Sequence, residues 1–160
     1  MRWSVEPDSV LVVHVLLATD ADWVVDDVVA ALSDSETSFT VCRNGRDVTG
    51  VVKARTPDIA ILDLQIGSMG GMATAMNLRN DESSGALEYV AILMLLDRDA
   101  DVHLARRSGA DGWLVKPIDP LRLRRAVNDI MNPPLGTEDL DFAIAETAAE
   151  TLEEEPVPAG

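Results

Sequence analysis

Cysteine is almost missing from this chain: Cys42 is the single one in 160 residues. That excludes an internal disulfide and any cysteine-based zinc site, and it suits a reducing compartment. Cys42 itself is expected to be buried on a strand as a small hydrophobe. Basic residues are also few, 13 Lys and Arg against 28 Asp and Glu, for a net charge of −15. Direct nucleic-acid binding needs clustered Lys and Arg against phosphates, so this balance argues against it. No apolar run is long enough to span a bilayer; Val10–Ala18 is short and interrupted by His14. Glu6 and Asp8 stand where a secretory signal would carry basic residues. The expected location is therefore cytoplasmic, with no membrane partner. Histidine is scarce too: His14 is expected inside the first strand and His103 on an exposed helix surface, neither beside a nucleophile.

What is present is an apolar fraction of 47%, ample for a core, in a length that fits one domain with a tail. Short apolar runs at Val10–Ala18, Ser38–Cys42, Ile59–Leu62, Val90–Leu95 and Trp113–Val115 read as strands, several apolar on both faces. Helix-period segments lie between them at Trp23–Leu32, Asp47–Ala54, Met72–Leu78, Asp101–Ser108 and Leu121–Met131. Asp119-Pro120 marks the last helix start, an N-cap followed by proline at the first helical position. Five strand–helix repeats imply an α/β, doubly wound parallel sheet, with a domain over 1–132 and its core at about 10–131. Residues 133–160 change character: they hold eight acidic residues and no Lys, Arg or His. This segment is expected to be either a solvated tail or a short docked helix, since a thin stripe of Leu140, Ile144, Ala148 and Leu152 is marginal alone.

Ligands in doubly wound folds sit outside the carboxyl ends of the strands. Asp20, with Asp22 nearby, follows the first strand, Asp63 ends the third, and Lys116 follows the fifth. Carboxylates gathered there repel one another, and a hard divalent cation such as Mg²⁺ would relieve that. An aspartate beside such a metal can attack a phosphoryl donor, with a lysine offsetting the developing charge.

"PDIAILDLQIGSMGG" and the later "SGADGWLVKPIDPLRLRRAV" resemble the receiver domain of two-component response regulators, over roughly Val13 to Met131. The resemblance implies a flavodoxin-like (βα)5 fold with strand order 2-1-3-4-5. It further implies that Asp63 accepts phosphate from a histidine kinase and that Lys116 contacts the phosphate. Asp20 and the backbone carbonyl of Gln65 would help Asp63 hold Mg²⁺. The Lys116-Pro117 step resembles one that is commonly cis in that family.

Three departures qualify this. The family's usual acid pair after the first strand is Thr19-Asp20 here, one charge short, which weakens a metal site. "VAILMLLDRDAD" has no hydroxyl where receivers end the fourth strand with Ser or Thr; Leu96 is the expected occupant, and Asp97 would repel a phosphate if it faced one. A hydrogen bond to a charged group is worth about 1.5–3 kcal/mol, about the size of a typical allosteric coupling. Trp113 replaces the family's mobile Tyr or Phe and reads as a core anchor or a partner contact. The expected function is an atypical receiver signalling through protein contacts or dimerisation, not an enzyme, with phosphorylation at Asp63 possible and its switch impaired. The alternative is a conventional phospho-accepting response regulator. The expected contact face carries Arg106, Arg107, Trp113 and Arg122 on the fourth helix, fifth strand and fifth helix. Glu146, Glu150 and Glu153–Glu155 of the tail are expected to pair with it in one molecule or across a homodimer. An enzyme or flavin carrier of similar fold is a weak reading, because Gly67–Gly71 lacks a phosphate-cradling spacing.

Overall fold

A computed structural model of the chain describes residues 12–133. Five parallel strands run β1 (Val13–Ala18), β2 (Thr37–Cys42), β3 (Ile59–Asp63), β4 (Ala91–Leu96) and β5 (Gly112–Val115), in spatial order β2-β1-β3-β4-β5. The helices between and after them are α1 (Asp22–Leu32), α2 (Val48–Ala54), α3 (Gly71–Ser83), α4 (Val102–Ser108) and α5 (Pro120–Met131). This is the flavodoxin-like arrangement, with the strand order reversing between β1 and β3.

The pleat sorts the apolar residues into two cores. Val15, Leu17, Ile59, Ile61, Leu93, Leu95 and Leu114 face the side covered by α1 and α5, with Val24, Val28 and Leu123. Leu16, Ala18, Ala60, Leu62, Ile92, Met94 and Leu96 face the other side, with Val52 of α2, Ala75 and Leu78 of α3 and Ala105 of α4. β1, β3 and β4 are buried on both faces, which is why they read as continuous apolar runs rather than alternations.

Several element ends differ from the sequence reading for local reasons. β1 begins at Val13, and residues 10 and 11 lie outside the described range. α3 runs on to Ser83, past Leu78, because the polar stretch is held by a pair between Arg79 and Glu82 one turn apart. β3 includes Asp63 and β4 includes Leu96, each one residue beyond the last expected position. A short 3₁₀ turn precedes both α2 and α4, at Gly45–Asp47 and Asp99–Asp101, so Asp47 and Asp101 stand outside those helices. Asp119 caps α5, its carboxylate accepting from the Leu121 and Arg122 amides at 2.8 and 3.2 Å.

His14 is buried on β1, where its Nε2 lies 2.7 Å from the Thr40 hydroxyl. Cys42 is buried at the end of β2, and burial pushes its thiol pKa up. His103 is exposed on α4. Among the described residues no helix is long and apolar enough to cross a membrane. The tail stripe and its acids, from Leu140 to Glu155, lie outside the described residues.

Candidate phosphoryl-acceptor site

The same pleat that builds the cores also builds the site. Thr19 continues the parity of Val15 and Leu17, and Asp63 continues that of Ile59 and Ile61. Asp97 follows Leu93 and Leu95 in the same way, and Lys116 follows Leu114. All four therefore project on the α1/α5 side of the sheet at its carboxyl edge, where the strand order reverses.

Asp63 is 2% exposed, and its carboxylate accepts from three donors. The Thr19 hydroxyl donates to Oδ2 at 2.7 Å. The Gln65 amide donates to Oδ1 at 3.1 Å, and Lys116 Nζ to the same oxygen at 2.8 Å. A buried carboxylate needs such partners, because its charge is costly out of water. Lys116 in turn meets Asp97 Oδ1 at 2.8 Å, so one ammonium serves two carboxylates. Burial pulls the Lys116 pKa down, but hydrogen bonds and charge from Asp63 and Asp97 outweigh it, and the net direction is upward. The indole of Trp23, on α1, lies 5.6 Å from the ammonium.

Asp20 is exposed, and its Oδ2 accepts from the Gly67 amide at 3.0 Å, tying the loop after β1 to the loop after β3. That second loop is drawn tight where α3 begins. A Cβ on Gly71 would stand 2.6 Å from the Asp63 carbonyl oxygen, so the position admits no side chain. Asp22 points to Arg43, at 2.7 Å, and is engaged there. Lys116-Pro117 is cis.

One sequence expectation needs correction. Leu96 does not stand beside Asp63; it is fully buried in the opposite core, packed with Leu62 and Met94. The fourth-strand side chain that reaches the site is Asp97, which the alternation of the pleat assigns once β4 is known to include Leu96. Trp23 was likewise not singled out from the sequence, since nothing local to it signals that α1 leans over Lys116. Trp113, on β5, is half-buried against the α2/α3/α4 core, with the Arg106 guanidinium 5.3 Å from its ring. Arg106, Arg107 and Arg122 are exposed. Among the described residues no three acidic, His or Cys side chains cluster as a metal cage. The available hard oxygens are those of Asp20 and Asp63 with a backbone carbonyl, a donor set suited in type to Mg²⁺.

Comparison with known proteins identifies the family and the fold. The response regulator receiver domain family matches residues 15–128. Protein PilH of Pseudomonas aeruginosa is 22% identical over 118 residues, 74% of this chain and 97% of PilH. The nitrate/nitrite response regulator protein NarL of Escherichia coli is 26% identical over 125 residues, 77% of this chain but 54% of NarL, so the chain spans about half of that relative. Among solved structures, the receiver domain of a Pseudomonas aeruginosa sensor histidine kinase, described with a magnesium ion in its active-site cleft, matches with a TM-score of 0.65 at 18% identity. That match covers 74% of this chain and 96% of that one. With its fold and match over residues 15–128, the chain belongs to the response regulator receiver domain family.

Proposed function

We propose that this receiver accepts a phosphoryl group on Asp63, from a histidine kinase or a small donor, and signals through protein contacts with a weakened switch. The observation that carries the reading is the buried Asp63–Lys116 pair at 2.8 Å at the carboxyl edge of the sheet. In the transfer an Asp63 carboxylate oxygen bonds to phosphorus while the bond from phosphorus to the donor's leaving atom breaks, an imidazole nitrogen for a phosphohistidine or a carboxylate oxygen for acetyl phosphate. The electron pair goes to the leaving group, which is acetate when acetyl phosphate is the donor. Lys116 supplies a fixed positive charge beside the growing negative one, and Thr19 and the Gln65 amide hold the carboxylate in place. Mg²⁺, held by Asp20, Asp63 and the Gln65 carbonyl, would neutralise charge on the phosphoryl oxygens. Asp20, Asp63 and Asp97 against Lys116 leave two negative charges in excess, which a divalent cation would balance. Thr19 in place of a second acid makes this site weaker than a three-carboxylate one.

The weakened switch follows from the fourth strand, where no hydroxyl faces Asp63 to bond an added phosphoryl group. The proposed output surface is the α4–β5–α5 face with Arg106, Arg107, Trp113 and Arg122, used for a partner or a second copy, with the acidic residues 133–160 as a further contact. We place the receiver unit at residues 1–132 and its action in the cytoplasm. The test is incubation with acetyl phosphate and Mg²⁺, read by intact mass. A phosphorylated species in the native chain and none in Asp63→Asn supports the acceptor; no adduct leaves a protein-binding module. A chain ending at 132 should change its oligomeric state or partner affinity at low salt and not at high salt; identical behaviour at low salt removes the tail from the proposal.

A further inference from the structure

Two carboxylates share Lys116, and they are held very differently. Asp63 is buried and keeps its place through Thr19 and the Gln65 amide as well as the lysine. Asp97 has a 39% exposed side chain, and among the described residues its carboxylate meets Lys116 and no other hydrogen-bond or ion-pair partner. Asp97 is also the first residue of the connection from β4 to α4. Beyond it come Arg98, largely exposed and paired with Asp101 at 2.8 Å, and the 3₁₀ turn Asp99–Asp101 that leads into α4. The Lys116–Asp97 ion pair thus fastens the start of that connection to the site.

Resting on the reading of Asp63 as a phosphoryl acceptor, we propose that Asp97 is a resident anion that competes with the phosphoryl group for Lys116, and that phosphoryl acceptance expels Asp97 and releases the β4–α4 connection. The phosphoryl group carries about −1.5 to −2 charges where the Asp63 carboxylate carried one, so it adds roughly one negative charge and three strong acceptor oxygens next to an ammonium that already serves two carboxylates. Lysine is a compact point charge, so the incoming dianion and Asp97 contend for the same donor. Asp97 is the member that yields, because water already reaches it and no second partner detains it. Leu96 is packed in the opposite core and offers nothing to draw the connection inward. The movement therefore runs outward, by repulsion, and α4 with Arg106 on Trp113 is the element it loosens.

The probe is beryllium fluoride with Mg²⁺, titrated calorimetrically into the full chain and into Asp97→Asn, with Asp97→Ser as a second neutral variant. Amide hydrogen exchange of residues 98–108 is followed in parallel. Both variants should bind the probe about tenfold more tightly than the native chain. Their 98–108 amides should exchange, without the probe, as fast as those of the saturated native chain. Equal or weaker binding in both variants, or greater protection of 98–108 in the saturated native chain, overturns the proposal. Binding that is equal in all three chains leaves Asp63 an acceptor and removes Asp97 as a competitor. Absence of binding in all three removes both readings.

Discussion

Arg79 and Asp111 are joined at 2.7 Å, and that ion pair fastens α3 to the turn before β5. The same guanidinium donates to Glu82, to the Val90 carbonyl and to the Gly109 carbonyl. Asp111 and Glu82 in turn accept from the Ile92 and Val90 amides. The network is partly buried and multidentate, unlike an isolated surface pair. Arg79→Ala should lower unfolding stability by about 2–3 kcal/mol, since it strands two carboxylates with only amide partners. Urea unfolding followed by circular dichroism measures this, and a change below about 0.5 kcal/mol would contradict it.

Gly109 closes α4 with φ of 84°, and a Cβ there would lie 3.0 Å from Arg79 Cγ. Gly109→Ala should destabilise by about 1–2 kcal/mol, from the left-handed backbone alone. Gly50 is the contrast: it lies inside α2 with open space where its Cβ would go. Gly50→Ala should stabilise by about 0.5–1 kcal/mol through helix propensity. The two substitutions must shift the urea midpoint in opposite directions.

Leu96→Thr separates the two views of the fourth strand. Were residue 96 at the site, a hydroxyl there would strengthen binding of a phosphoryl analogue. Because Leu96 is buried among Leu62 and Met94, the substitution should instead cost about 2–4 kcal/mol of stability and leave analogue affinity unchanged. Thermal unfolding together with a beryllium fluoride titration distinguishes these outcomes.

His14 gives a pH dependence with a definite sign. Burial pulls its pKa below the ordinary 6.5, Arg55 pulls it further, and Asp58 opposes them. Nδ1 is buried and, among the described residues, has no hydrogen-bond partner. The unfolded chain takes up a proton at about 6.5 that the folded chain refuses until lower pH, so stability should fall as pH drops below 6.5. In His14→Gln that portion of the fall should disappear. Denaturant midpoints compared between pH 7.5 and 5 would show it, and parallel curves for the two chains would count against it.

The architecture was readable because it rests on apolar strand runs and helix-period stripes, which burial on both faces imposes directly. Asp63, Asp20 and Lys116 were readable for a related reason: each comes at the end of an apolar strand run, and a doubly wound sheet gathers such ends. Asp97 was not, since whether residue 96 or 97 faces the site depends on where β4 stops, and one more residue in the strand reverses the choice. Trp23 was hidden in the same way, because its approach to Lys116 is set by how α1 packs on the sheet. The extent of α3 was obscured by polar residues whose partners, Val90, Gly109 and Asp111, lie far along the chain.

The two-sided burial of β4 also makes the site unusually exposed to length changes. Deleting or inserting one residue within Ala91–Leu96 would exchange the two faces from that point on. A leucine would then sit against Lys116, and a carboxylate would be driven into the aliphatic core. Point substitutions at Asp97 adjust the local charge, whereas a frame slip of one residue would cost the fold itself. Diversification of this chain is therefore open at Asp97, just beyond the fourth strand, and closed to changes in the strand's residue count.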